Sequence, residues 1–378
     1  MLRRTGAGLA GALALALVLT SPRPGRGDPP SESVAPAPST SEDAVTAAGR
    51  AARGLYIGAR FVQRNSVDDV VGAVQMARMN AVVLDLKDAD GRVHHATTVP
   101  ELAAARTGWL GDAAALNRRL GAEGIYRIAR ITCFADRWLP AQLPERAILH
   151  ARRDEPWVSW GTGGTWLDPY NRENHRMVAD LAREAEALGF DEIQLDYVRF
   201  PVDEGTRYAR YPAERDTARA EVLVELLRTV DAAVSLPLGV DVFGLAAYRE
   251  GDPSGLGQDL AAWQAHVDVY TPMLYPNAMR AWRLGEEDRS FRLVFGGVFR
   301  LRQRVGDAPV VRPFLQAFER GADDFGPDFI TQQVRGARRG GADGFLFWHP
   351  GAAYSVVRAA FRGRARFLLP FPTRSRSP

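Results

Sequence analysis

At 378 residues, with 46% hydrophobic and 25% charged side chains, the chain has an ordinary globular composition with room for one large domain or two smaller ones. Its formal charge of +3 misleads: residues 1–53 hold six arginines against four acids and residues 362–378 hold five arginines and no acid, leaving the stretch between them four charges negative. A nucleic-acid groove needs clustered positive charge on the folded domain, so that class is set aside.

The N-terminus reads as an export signal over residues 1–21. Arg3 and Arg4 precede an apolar segment at about residues 9–19, and Thr20, Ser21 and prolines follow. The segment is short for a membrane span, so the expectation is a cleaved signal, a periplasmic or extracellular protein, and no stable membrane insertion afterwards. Residues 22–52, rich in Pro, Ser and Ala, read as a flexible linker, and residues 362–378 as a basic disordered tail. Cys133 is the sole cysteine, so no internal disulfide is available and stability must come from a large core. It lies in an apolar run and reads as a small buried hydrophobe.

The folded part, residues 53–361, starts with a strand-like run at 54–61 and a helical pattern at 67–79. Residues 81–86, AVVLDL, form the continuous apolar run of a buried parallel strand. A helix at 112–122 leads to the third strand, 126–134. The connection that follows, 135–171, is long, carries Trp138, Trp157, Trp160 and Trp166, and is of a length that is uncommon without a function. An amphipathic helix at 172–188 precedes the fourth strand, in 191–201, DEIQLDYVRFP, where Ile193, Leu195 and Tyr197 alternate with Gln194, Asp196 and Val198. A helix at 214–234 follows. Strands five to eight fall at 238–243, 266–275, 310–318 and 344–349, with a helix at 329–339 before the last and none assigned between the sixth and seventh. Eight strand-like runs, most separated by helices, predict a single-domain (β/α)8 TIM barrel with a long loop after strand 3. No GxGxxG follows the first strand, which disfavours a dinucleotide-binding sheet.

In such a barrel the C-terminal strand ends converge on one pocket. Here they supply Arg60, Asp85 with Lys87, Arg130, Asp196 with Arg199, Asp241, Tyr275, Gln316, and Trp348 with His349. Lys87 is the only lysine, and a compact ammonium beside Asp85 suits contact with a carboxylate or a sugar hydroxyl. Convergent carboxylates with aromatic walls suit glycoside hydrolysis, in which one carboxyl donates a proton to the leaving oxygen and a second, ionised one faces the cationic transition state. The tryptophans after strand three can serve as sugar platforms, as loop pins, or as both. The plainer account of Asp196 and Arg199 is a structural ion pair. Competing chemistries lack their parts: no HxH pair lies on strand one, there is no GxSxG elbow, and GTGG at 161–164 follows no strand. No metal or organic cofactor is required.

Six stretches, NAVVLDLKDADG (80–91), WLDPYN (166–171), DEIQLDYVRFP (191–201), YTPMLYP (270–276), RPFLQAF (312–318) and GFLFWHP (344–350), occur in the order found in a known family. Together they resemble the bacterial glycoside hydrolase-like (β/α)8-barrel family formerly classed as a domain of unknown function, which is distantly similar to alpha-amylase-like barrels. The resemblance implies a polysaccharide or oligosaccharide substrate, a nucleophilic aspartate ending strand four (Asp196) with an arginine nearby (Arg199), and an acid ending strand five. That acid is a glutamate in the distant relatives and Asp241 here, so Asp85 and Asp168 stay open as alternatives. Catalytic roles are therefore expected of Asp196, Asp241 and Asp85. Substrate contacts are expected of Lys87, Arg130, Trp166, Asp168, Arg199, Tyr275, Gln316, Trp348 and His349. A carbohydrate-binding barrel without chemistry and a cell-envelope scaffold are the alternative functions.

Overall fold

The computed structural model describes residues 45–160, 163–202, 205–252, 255–279, 288–322 and 324–363. The expected signal, most of the expected linker and all but the first two residues of the tail lie outside the described residues. Among the described residues no helix is long and apolar enough to cross a membrane.

Eight parallel strands form the centre: β1 (Arg53–Ile57), β2 (Ala81–Lys87), β3 (Tyr126–Thr132), β4 (Glu192–Asp196), β5 (Leu238–Val242), β6 (Val269–Pro272), β7 and β8 (Phe345–Trp348). β7 comes in two pieces, Val310–Val311 and Phe314–Gln316, because Pro313 has no N–H to give the ladder. Its first piece pairs with β6 and its second with β8, and a parallel bridge joins Met273 to Phe314. The sheet therefore closes on itself through β7, as the (β/α)8 reading predicts.

Alternation along each strand divides the side chains between two cores. On β2, Val82, Leu84 and Leu86 pack outward in the large cluster under the helices, whereas Ala81 and Val83 join Tyr126, Ile128, Phe314 and Leu346 inside the barrel. Helices cover the outside. In Arg172–Ala187, buried Met177, Val178, Leu181, Ala182 and Ala185 recur at helical spacing, and the Asn171 side chain caps the start by accepting the Glu173 N–H at 2.9 Å. The β6–β7 connection, to which the apolar pattern assigns no helix, holds Arg289–Val305. It packs against Pro327–Gly340 so tightly that a Cβ on Gly336 would come within 2.6 Å of the Phe291 carbonyl. Glycines that permit this approach also dilute the apolar signal.

Residues 45–52, expected as the end of a flexible linker, are folded. Helix Ala47–Arg50 places Val45 against Val269 and Val310, and the Gly49 carbonyl accepts a 2.8 Å hydrogen bond from Arg312. This segment closes the N-terminal end of the barrel, where Arg312 also pairs with Glu192, both fully buried. The long connection after β3 carries structure of its own. Its strand Leu149–His150 pairs antiparallel with Ala209–Arg210 from the connection after β4, and single bridges tie Ala135 to Trp166 and Val158 to Thr165.

Candidate active site

β4 sends Ile193 and Leu195 into the outer core and Glu192, Gln194 and Asp196 inward at successive levels. Asp196, at the C-terminal end, meets two strand neighbours. Arg130 on β3 donates to Asp196 Oδ2 from Nη2 at 2.5 Å and from Nε at 3.1 Å, and to Asp85 Oδ1 on β2 from Nη1 at 2.6 Å. The same Nε lies 3.9 Å from Asp241 Oδ2 on β5. One guanidinium thus faces three carboxyl groups from three strands. Asp85 is completed by the Tyr56 hydroxyl, which donates to its other oxygen. Asp196 Oδ1 accepts the Tyr197 N–H at 2.6 Å, and Tyr197 holds a φ of 55°, a left-handed conformation that is rare for a large side chain.

Charge balance decides the protonation. Three carboxylates against one arginine in a nearly dry site cannot all be ionised at low cost. The proton falls on Asp241, whose carboxyl is held well above the usual range. Burial is the largest cause, followed by the negative Asp196, toward which the protonated form donates a hydrogen bond; Arg130 and the Gln194 amide pull the other way. Gln194 Nε2 donates to Asp241 Oδ1 at 2.5 Å, so the proton belongs on Oδ2. Asp196, by contrast, is faced by donors from Arg130, Tyr197 and neutral Asp241. The result is one carboxyl with a proton to give beside one that accepts.

Access is narrow. Asp85, Asp196 and Asp241 are 3%, 3% and 2% exposed. A cavity of about 90 Å³ touches Asp196, Arg199, Asp241, Phe243 and Gln258, which is below the roughly 300–1,000 Å³ of a typical ligand site. Beside the carboxyls stands a half-buried aromatic wall in which Trp348 lies 6.1 Å from Tyr56, 5.9 Å from Tyr275 and 5.3 Å from Phe318 between ring centres. The Tyr275 hydroxyl is buried without a hydrogen-bond partner among the described residues, and burial, then Asp241 and Asp196, raise its pKa well above the ordinary value. It is a donor awaiting an acceptor.

Several expected substrate contacts are placed elsewhere. Lys87 is fully buried, 2.8 Å from Asp136, and donates to the Thr132 carbonyl at 3.0 Å; a register shift between Asp85 and Lys87 re-aims it away from the carboxyl cluster. Asp168 binds the N–H groups of Tyr170 and Ala213, both at 2.9 Å, and burial raises its pKa to about 6: it ties loops together and is no acid for the site. Gln316 spends its amide on the Phe318 and Arg320 carbonyls and the Asn277 N–H. Trp166 is fully buried, edge-on to Tyr197 and 4.8 Å beneath Arg199. His349 accepts the N–H groups of Gly351 and Ala353. The arginine that pairs with Asp196 is Arg130 rather than Arg199, whose guanidinium donates to the Phe200 carbonyl and lies over three aromatic rings. The fold brings together Asp85, Arg130, Asp196, Asp241, Tyr275 and Trp348, keeps Arg199 on the small cavity beside Asp196 and Asp241, and adds Tyr56, Gln194 and Phe318. Of these additions Gln194 was readable from strand alternation, two residues before Asp196.

Residues 54–354 match the model of the family described as "Putative glycosyl hydrolase domain". The chain belongs to that family. Among solved structures it is similar to the glycoside hydrolase domain of PgaB (BpsB) from Bordetella bronchiseptica, at 15% identity and a TM-score of 0.56 over 82% of this chain and 98% of that one. It is also similar to alpha-L-fucosidase isoenzyme 2 from Paenibacillus thiaminolyticus (13%, TM-score 0.55, 82% and 49%) and to the alpha-galactosidase TtGalA from Thermus thermophilus (18%, 0.51, 86% and 64%). At these identities the likeness is one of fold. A comparison with curated proteins finds no match.

Proposed function

We propose that this glycosyl hydrolase family member cleaves a glycosidic bond of an envelope or extracellular polysaccharide, with Asp241 as the proton donor and Asp196 as the nucleophile or base. The observation that carries the reading is the buried pair itself: at the mouth of a barrel, carboxyls from neighbouring strands surround one arginine, and burial beside Asp196 holds the Asp241 carboxyl well above the usual range. A general acid must hold its proton at working pH, and burial next to a negative neighbour supplies that condition. In the reaction the bond from the anomeric carbon to the leaving oxygen breaks, Asp241 protonates that oxygen, and water supplies the new bond and returns the proton. Asp85 acts by position, since Tyr56 and Arg130 occupy its two oxygens. Both carboxyls lie at the Arg130 guanidinium, Asp196 at 2.5 Å and Asp241 at 3.9 Å.

Export is part of the proposal and rests on Arg3, Arg4 and the apolar segment after them. A second reading, a barrel that binds glycans without cutting them, draws on the low exposure of the carboxyls and the small cavity beside them. New reducing ends released from a panel of polysaccharides separate the two. The native chain should cut at least one glycan, and Asp196→Asn should slow that cut by about 10²–10⁴-fold while binding persists. Glycan binding by the native chain with no cut anywhere in the panel establishes the second reading.

A further inference from the structure

We infer a subsite for an anionic sugar on the rim over β1, β2 and β3, in a pocket separate from the carboxyl cluster; the inference rests on the glycan-binding reading above. The pocket has a volume of about 510 Å³, within the range of small-molecule sites, and is lined by Arg60, Asp90, Arg92, Trp109, Arg137 and Trp138. Its position follows from the barrel. Arg60 lies on the helix Ala59–Arg64 directly after β1, Asp90 and Arg92 follow β2, and Arg137 and Trp138 follow β3. Those three strands carry Tyr56, Asp85 and Arg130 at the same end, so a glycan occupying the mouth has this pocket along the same sector of the rim.

The lining is three arginines to one aspartate on a domain that is otherwise net negative. Neither Arg60 nor Arg92 has an ion-pair partner among the described residues. Arg137 pairs with Asp90 at 2.9 Å, but both side chains are more than half exposed, a setting in which an ion pair is weak and open to exchange for a ligand carboxylate. The Arg60 guanidinium is held 4.9 Å over the Trp109 ring, which leaves its N–H edge free to meet an anion. Trp138 is half-buried and offers the flat apolar face that pyranose C–H groups pack against, while Trp109, stacked with the His94 ring at 5.0 Å and covered by Arg60, holds that guanidinium in place. The floor is anchored: Asp136 accepts the Trp138 N–H at 2.8 Å while Lys87 holds Asp136 from beneath. This assigns the single lysine a positioning role for the pocket.

Guanidinium groups beside an indole face select a sugar ring bearing a negative group, which can be the carboxylate of a uronic acid or a phosphate or sulfate ester. The test measures binding by full-length Asp196→Asn protein, so that cleavage does not enter. Its probes are an oligouronide, the same oligomer with its carboxyls reduced, and a sulfated neutral oligosaccharide, followed by calorimetry and tryptophan fluorescence. An anionic probe should bind at least tenfold tighter than the reduced oligomer, with affinity falling as salt rises, and Arg60→Gln and Arg92→Gln should each lose most of that preference at an unchanged melting temperature. Preference for the oligouronide assigns the carboxylate, and preference for the sulfated probe the ester. Equal affinity for charged and reduced oligomers, no binding of any probe, or a preference that survives both arginine variants overturns the subsite. Cleavage of a neutral glycan by the native chain stands through any of those failures, and a subsite that binds in a chain that cuts nothing refutes only the hydrolytic reading.

Discussion

Replacing Lys87 by Met distinguishes a buried clamp from a substrate contact. The side chain is fully buried, its ammonium lies 2.8 Å from Asp136 and 3.0 Å from the Thr132 carbonyl, and Asp136 is itself fully buried. Removing one partner of a buried pair costs about 3–5 kcal/mol, because the other charge is left without compensation. Asp136 keeps two backbone donors, the N–H groups of Trp138 and Leu139 at 2.8 and 2.7 Å, which places the loss at the lower end, near 3 kcal/mol. For a domain of this size that corresponds to a fall of roughly 6 °C in the melting temperature, read by circular dichroism at pH 7. Adding Asp136→Asn, which keeps an acceptor for the two N–H groups and removes the stranded charge, should restore most of the loss. A Lys87→Met protein that melts with the wild type refutes the clamp, and one that does so while losing glycan affinity returns Lys87 to the substrate.

Asp241→Asn imitates the protonated carboxyl and should flatten the pH dependence of stability. The folded form holds this proton above the pH at which the unfolded chain releases it, so wild-type stability falls as pH rises above about 4, by up to 1.4 kcal/mol per unit from this group. The variant should therefore match the wild type near pH 4 and exceed it in urea midpoint at pH 8; equal curves at both values contradict a neutral Asp241. Arg312→Met strands Glu192, whose pKa burial already raises against the opposing pull of Arg312, and should cost about 3–5 kcal/mol at pH 7 and less as pH falls, because a protonated Glu192 needs no counter-charge. A deficit in chemical denaturation that does not change with pH argues against that pairing. Tyr275→Phe removes a buried hydroxyl that lacks a partner among the described residues and should leave the melting temperature unchanged or slightly higher while weakening glycan binding. A clear loss of stability in that variant shows the hydroxyl to be satisfied within the fold.

The barrel was readable because its strands are apolar runs with a two-residue period, and that period also aims Gln194 and Asp196 inward together. What alternation cannot show is how a polar group at a strand end is used. Gln316 ends a strand as Asp196 does, and Asp168 lies in the long connection after β3, yet backbone N–H and C=O groups of neighbouring loops absorb both, a demand that arises only when those loops are folded over the strand ends. Lys87 lies away from the carboxyl cluster for a related reason: a one-residue register shift after Asp85 carries no compositional mark, and it redirects the side chain. Tyr56 was hidden by a boundary. Reading the first strand through to residue 61 put Arg60 at its end, whereas the chain leaves β1 at Ile57 and enters a helix at Ala59, which makes Tyr56 the last inward side chain. Arg199, beside Asp196 in sequence, stood in for Arg130, which only the pairing of β3 with β4 brings to Asp196.

The central claim is a proton kept on Asp241 at neutral pH, and infrared difference spectroscopy of wild type against Asp241→Asn reads it without any substrate. At pH 7 the wild-type spectrum should contain the carbonyl stretch of a protonated carboxyl that the variant lacks. A difference spectrum showing only the loss of ionised carboxylate bands would place a charged Asp241 in the cluster and remove the acid from the account.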